Sequence, residues 1–164
     1  MLRTKVHIPP LRPNLVIRSR LIEQLDEGVQ PGLKLTLVSA PAGYGKTTVL
    51  LQWARASRSS VGWLSLEKAD NDFERFFRYM ALALEAVEPE VMETPFGILL
   101  GAPSPEKEAV LTAFINLAND LDGHTALILE DYHLIEEPDI HEALTFLLDH
   151  LPSALFRNTC KNLP

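Results

Sequence analysis

Residues 40–48 read Ala-Pro-Ala-Gly-Tyr-Gly-Lys-Thr-Thr, a set of types that fit together chemically. Gly43 and Gly45 let the backbone curl until successive N–H groups converge on one point and can grip the oxygens of an anion. A helix starting directly afterwards adds the positive end of its dipole. Lys46 contributes a mobile positive charge, and the Thr47 hydroxyl suits a hard cation such as Mg²⁺. The stretch fits the pattern G-x-x-x-x-G-K-[ST] with alanine at the first glycine, a position that mainly needs a small residue. Ala42, Gly43, Tyr44, Gly45, Lys46, Thr47 and Thr48 are therefore predicted to cradle the phosphates of a purine nucleotide. The plainer alternative is an ordinary glycine turn into a helix.

A second group is Leu127-Ile128-Leu129-Glu130-Asp131, an apolar run that ends in two acids. One carboxylate can orient Mg²⁺ while the other positions or deprotonates an attacking water. Glu130 is placed as the metal-side acid and Asp131 as the candidate general base, and the two roles can be exchanged. Taken alone, acids after a strand are usually a polar loop. With the phosphate loop upstream they read as its partners, and Lys46, Glu130 and Asp131 become the candidate catalytic set, with Thr47, Glu130 and Asp131 around the metal.

The elements around these residues decide between the readings. Leu33 to Ser39 is a β-rich run, and a helical segment runs from Lys46 to about Ser57, so strand, glycine loop and helix follow in order. Residues 1–14 are basic and rich in proline, which predicts an extended arm. Leu21, Ile22 and Leu25 recur at helical spacing before Gly28, and Pro31-Gly32 marks a turn. Val61 to Leu66 is a second strand. Phe73, Phe76, Phe77, Met80 and Leu84 form one apolar stripe of a helix opened by Asp72 and ended by Pro89. A loop with Pro95, Gly97, Gly101 and Pro103 is expected next. Ser104-Pro105 then reads as the cap of a helix carrying Val110, Phe114, Leu117 and Leu121, stopped by Gly123. Thr125 to Leu129 reads as a strand buried on both faces, and Pro138 to His150 as a helix with Ile140, Leu144 and Leu147/Leu148 inward. Alternating strands and helices predict an α/β fold of the P-loop NTPase type, a three-layer sandwich on a mostly parallel sheet.

The chain has 164 residues, enough for one domain with a real core, and 46% of them are hydrophobic. A net charge of −7 makes it a poor binder of nucleic acid backbones, so no direct DNA contact is expected. Arg3, Lys5, Arg12, Arg18 and Arg20 form either a local basic patch or a solvated arm. Cys160 is the single cysteine, no apolar run approaches a membrane span, and the start lacks a signal-peptide core, so a cytoplasmic location is expected. The five histidines show no metal-ligand spacing, and His141-Glu142 lacks the second histidine of a zincin. His133 reads as a surface residue, with a γ-phosphate contact as the alternative. Trp53 and Trp63 read as packing, and Asp70-Asn71-Asp72 as a helix cap before an ion site. No Ser-Gly-Gly-Gln signature, Asn-Lys-x-Asp clamp or set of lid arginines points to a transporter ATPase, a GTPase or a small-molecule kinase.

These residues add up to a family likeness. Arg12 to Leu21, Ser39 to Thr48, Trp63 to Glu67 with Asp70-Asn71-Asp72, and Leu129 to Ile135 stand in order over about residues 3–152. In these the chain resembles the N-terminal NTPase domain of MalT-like members of the LuxR-type transcriptional regulators, within the STAND class of signal-transducing ATPases. The resemblance implies an ATP/ADP switch with Mg²⁺ and slow hydrolysis, self-association in the full-length parent, and an adenine pocket to which Val16, Ile17 and Arg18 contribute. It also implies an aspartate where this chain has Glu130. After Pro152 the family continues into an apolar strand lying between the strands of the two motifs. The tail 153–164 has no clear strand pattern, which predicts a sheet incomplete at its C-terminal end unless the tail takes that place. The expected organisation is an arm and first helix over 1–32, a partial core over 33–152 and an atypical tail. The lid, the inducer-sensing repeats and the DNA-binding domain of the family are not expected in this chain. The alternative function is a catalytically silent nucleotide-binding fragment or protein-interaction module.

Overall fold

The computed structural model describes residues 2–13, 15–27, 34–41, 43–121 and 125–151, and the backbone of 156–160. Four runs become strands: β1 (Leu35–Ser39), β2 (Ser60–Ser65), β3 (Thr125–Glu130) and β4 (Phe156–Cys160). Their order in the sheet is β1-β4-β3-β2, and every pairing is parallel. β3 is buried along its whole length, whereas β1, at one edge, alternates between half-buried and exposed. Leu35 aligns with Phe156, and Leu127 aligns with Phe156 from the other side. The tail therefore supplies a strand where no strand pattern was legible, between the strand of the phosphate loop and the strand of the acids. Its backbone satisfies hydrogen-bonding groups on both neighbours, which would be costly to bury unpaired.

Six helices accompany the sheet among the described residues: α1 (Ser19–Glu27), α2 (Lys46–Ala56), α3 (Phe73–Leu84), α4 (Pro95–Gly101), α5 (Lys107–Asp120) and α6 (Pro138–His150). On one face Leu64, Leu127 and Leu129 pack with Phe76, Phe77, Phe114, Ile140 and Leu147 from α3, α5 and α6. On the other, Trp63, Ala126 and Ile128 pack with Leu25 of α1 and Val49, Leu50 and Trp53 of α2. Helices on both faces make the three-layer α/β sandwich. Each fully buried phenylalanine contributes roughly 1.5–3 kcal/mol over leaving it in water. Both tryptophans are fully buried, and each indole keeps a polar partner: Trp53 Nε1 donates to Asp26 Oδ1 at 2.7 Å and Trp63 Nε1 to Ser65 Oγ at 2.9 Å.

The Asp72 carboxylate accepts from the Arg75 amide at 2.8 Å, capping α3 as its sequence position predicts. Asn71 Oδ1 accepts from the amides of Glu136 and Glu137, ahead of α6. Asp70 does something different. It is fully buried, accepts from the Glu67 amide, and meets Lys5 Nζ and Arg75 Nε, the latter at 3.0 Å. The hydrogen bond to Asp70 raises the pKa of Arg75.

Three local expectations are corrected. The arm is not extended throughout, because Arg3–Val6 forms a 3₁₀ turn that buries Lys5 and Val6, and burial against Asp70 removes Lys5 from any basic surface patch. Pro95–Gly101, expected as a loop, is α4, started by the Thr94 cap and by Pro95 at its first position. Helix α5 begins at Lys107 with Glu106 as its cap, since Ser104 at φ 50° turns the chain before the helix can start there. Of the two readings left open for the tail, the structure takes the second, with 156–160 in the place of the family's strand. Gly28, Pro31-Gly32, Gly123, Pro152 and the remaining tail residues lie outside the described residues.

Candidate functional site

β1 carries the chain to Ala40 and α2 takes it up at Lys46, so the phosphate loop turns within a few residues. Gly43 has φ 84° and Gly45 φ 81°, left-handed conformations that cost side-chain-bearing residues roughly 1–2 kcal/mol each. Gly45 caps α2 without any side chain, which leaves amides of the first helical turn directed into the loop. The Lys46 ammonium donates to the carbonyls of Ala40, at 2.5 Å, and Pro41, at 3.1 Å. It thus spans the loop from its last residue back to its first. Ala42 lies outside the described residues.

The acids reach this loop by strand register. Ser65 and Glu130 are direct partners across β2 and β3, with Trp63 and Ile128 two residues behind on the same face. That face is the one covered by α2, so Glu130 emerges beside the start of that helix. Thr47 Oγ1 donates to Glu130 Oε1 at 2.5 Å, and Ser65 Oγ donates to Oε2 at 2.8 Å. Glu130 is only 9% exposed. Asp131 follows at φ 58° and leaves the strand line, with its side chain half-exposed and its Oδ1 3.7 Å from His133 Nδ1.

Asp131, Gly43, Gly45, Lys46, Thr47 and Thr48 line one side of a cleft of about 640 Å³. Pro9, Pro10, Leu11, Arg12 and Leu15 of the N-terminal arm line the other. Such a volume falls within the range of small-molecule and cofactor sites. Arg18 lies on the opposite flank of the loop, where its Nη1 donates to the Tyr44 carbonyl at 3.4 Å and a second cleft opens between α1 and β1. The side chains of Val16 and Ile17 are 80% and 72% exposed, and the Val16 carbonyl accepts from Gln52 Nε2 of α2 at 3.0 Å. The structure thus gathers Gly43 to Thr48, Glu130 and Asp131 into one place and sets Val16 to Arg18 beside it.

Three contributors went unread in the sequence. Ser65 was legible only through the register that sets it opposite Glu130. Gln52 is a buried polar residue within the apolar face of α2, a signal that could have been noticed. The arm, which the sequence left as either a basic patch or a solvated arm, contributes Pro9, Pro10, Leu11, Arg12 and Leu15 as a wall of the cleft.

The residue set suits Mg²⁺. A hydroxyl and a carboxylate are too few donors to enclose an ion, and Mg²⁺ is usually held by one or two carboxylates together with substrate phosphates. Among the described residues, no cluster of three or more His, Cys, Asp or Glu could hold a metal ion by itself. No described helix is long and apolar enough to cross a membrane.

Comparison with known proteins agrees with this architecture. The AAA ATPase domain family matches residues 14–160. The HTH-type transcriptional regulator MalT of Yersinia pestis (strain Pestoides F) is 36% identical over 156 residues, covering 94% of this chain and 17% of that protein. MalT of Yersinia enterocolitica serotype O:8 / biotype 1B is 37% identical over 155 residues, with the same coverage. The chain thus spans 17% of the length of these relatives. A STAND protein with a tetratricopeptide repeat sensor from Pyrococcus horikoshii shares the fold with a TM-score of 0.55 at 14% identity, over 92% of this chain and 21% of that one.

Proposed function

The chain belongs to the AAA ATPase domain family, as a MalT-like NTPase domain, and from that premise we propose that it binds ATP and ADP with Mg²⁺ and hydrolyses ATP slowly. The observation that carries this reading is the Thr47–Glu130 hydrogen bond, which joins the phosphate loop to the acid strand beside the cleft that Thr47 and Asp131 line. Amides of the loop and of the first turn of α2 grip the phosphates, and Lys46 neutralises charge on the β- and γ-phosphates. Thr47 and Glu130 hold the metal. When bound, Mg²⁺ would neutralise charge building on the phosphate oxygens. Asp131, which opens on the cleft, accepts the proton of the attacking water. Val16, Ile17 and Arg18 border the adenine, fixed to α2 through Gln52. The longer protein that carries such a domain is a cytoplasmic LuxR-type regulator that self-associates, and the domain itself does not contact DNA.

The test is a thermal shift with Mg-ATP and Mg-ADP on the chain and on Lys46→Ala. Ligand at 100 times its Kd stabilises by about 2.7 kcal/mol. For a chain of this size that is a rise of roughly 5–10 °C, expected in the parent and lost in the variant. A folded parent that shows no rise refutes nucleotide binding. Phosphate release then compares the parent with Asp131→Asn, and an unchanged turnover removes Asp131 from the base role.

A further inference from the structure

We propose that Ser65, fixed by the indole of Trp63, is the positioning residue that sets the Glu130 carboxylate for the metal. This inference rests on the reading of Thr47 and Glu130 as the metal-holding pair.

The geometry fixes the direction of each hydrogen bond in the chain. An indole nitrogen only donates, so at 2.9 Å from Trp63 Nε1 the Ser65 oxygen must accept. The single Ser65 hydroxyl proton is then left for Glu130 Oε2 at 2.8 Å. Trp63 is fully buried among Leu50, Trp53 and Ile128, so its ring cannot swing. Rigidity of the small core therefore passes through one serine to one carboxylate oxygen. The other oxygen is set by Thr47.

Glutamate needs this support. It has three side-chain torsions, and the last is a broad, soft one. Held by Thr47 alone, the carboxylate could still pivot about Oε1. The bond from Ser65 removes that freedom and leaves the remaining lone pairs with a defined direction. It also orders Glu130 before any ligand arrives, so less conformational freedom is lost on metal binding. Outer partners of metal-binding groups typically change metal affinity 10–100-fold when removed.

ATP affinity of the full chain is measured calorimetrically over a series of Mg²⁺ concentrations, beginning in EDTA. Ser65→Ala is expected to raise the Mg²⁺ concentration at the midpoint of the affinity gain about tenfold, with metal-free ATP affinity within twofold of the parent. Ser65→Thr, which keeps the hydroxyl, restores the midpoint. Where Ser65→Ala loses its fold, the isosteric Ser65→Cys, a weaker donor, must move the midpoint in the same direction. A merely structural serine would lower the melting temperature or both affinities together. A midpoint within twofold of the parent, in a folded variant, overturns the proposal. If the parent gains ATP affinity with Mg²⁺ while the variant midpoint is unmoved, only the role of Ser65 falls. A parent that binds no ATP at any Mg²⁺ concentration removes the nucleotide reading and this proposal with it.

Discussion

On the face of the sheet that carries α3, α5 and α6, Leu64, Leu127 and Leu129 meet phenylalanines and aliphatic side chains in a continuous apolar layer. On the face that carries α1 and α2, Trp63, Ala126 and Ile128 meet a smaller cluster, and the next residues along the same strands are Ser65 and Glu130. Strand alternation is what separates the two: Leu129 enters the large core and its neighbour Glu130 enters the site. The large face holds the sheet together through apolar contact, with its buried charges, Asp70 and Lys5, paired at its margin. The small face keeps just enough apolar contact to fix the parts that do chemistry, and its tryptophans hold polar partners. Stability and function are thus assigned to opposite sides of one sheet.

The strongest test of that division is Phe76→Ala, which empties a fully buried site on the large face. It is expected to lower unfolding free energy by about 3–5 kcal/mol in urea titrations, with ATP affinity of the folded protein unchanged. A large change in affinity at constant stability would erase the distinction between the faces. Next comes Asp70→Ala, which leaves Lys5 buried beside Arg75 with only the half-exposed Glu67 carboxylate still paired to both. The expected loss is about 3 kcal/mol, the low end for a broken buried pair because Arg75 is partly exposed. The arm starts at Lys5 on the large face and reaches the phosphate loop by Pro9, so this variant sharpens the comparison: ATP affinity is expected to fall along with stability. The smallest effect is Trp53→Phe on the small face. It removes the hydrogen bond to Asp26 and is expected to cost about 1 kcal/mol in thermal unfolding.

Periodicity made much of this readable in advance. The stripe Phe73, Phe76, Phe77, Met80, Leu84 and the Asp72 cap gave α3, and the unbroken run from Thr125 gave a strand buried on both sides. The glycine loop and the acids were legible because their chemistry demands particular residue types at fixed spacing. Other parts rest on tertiary contacts that no local pattern records. In α4, Gly97 signals a loop to a reader of propensities, yet a Cβ there would come 2.3 Å from Met92 Cα, so the glycine serves a close approach. The run Phe156-Arg157-Asn158-Thr159-Cys160 has no strand pattern, and it is a strand because backbone groups on both sides require one. Lys5 in a proline-rich basic arm gives no hint of burial, since the hint lies 65 residues away in Asp70. Ser65 became visible only when register set it beside Glu130.

The position of β4 has a consequence for biogenesis. Within the sheet, the strand bearing the phosphate loop and the strand bearing the acids touch only through β4, which follows both of them in the chain. A ribosome therefore releases the loop, and later the acids, while the plank that will bridge them is still inside the exit tunnel. Until it arrives, the nascent polypeptide holds the two halves of its site without the strand that locks them side by side.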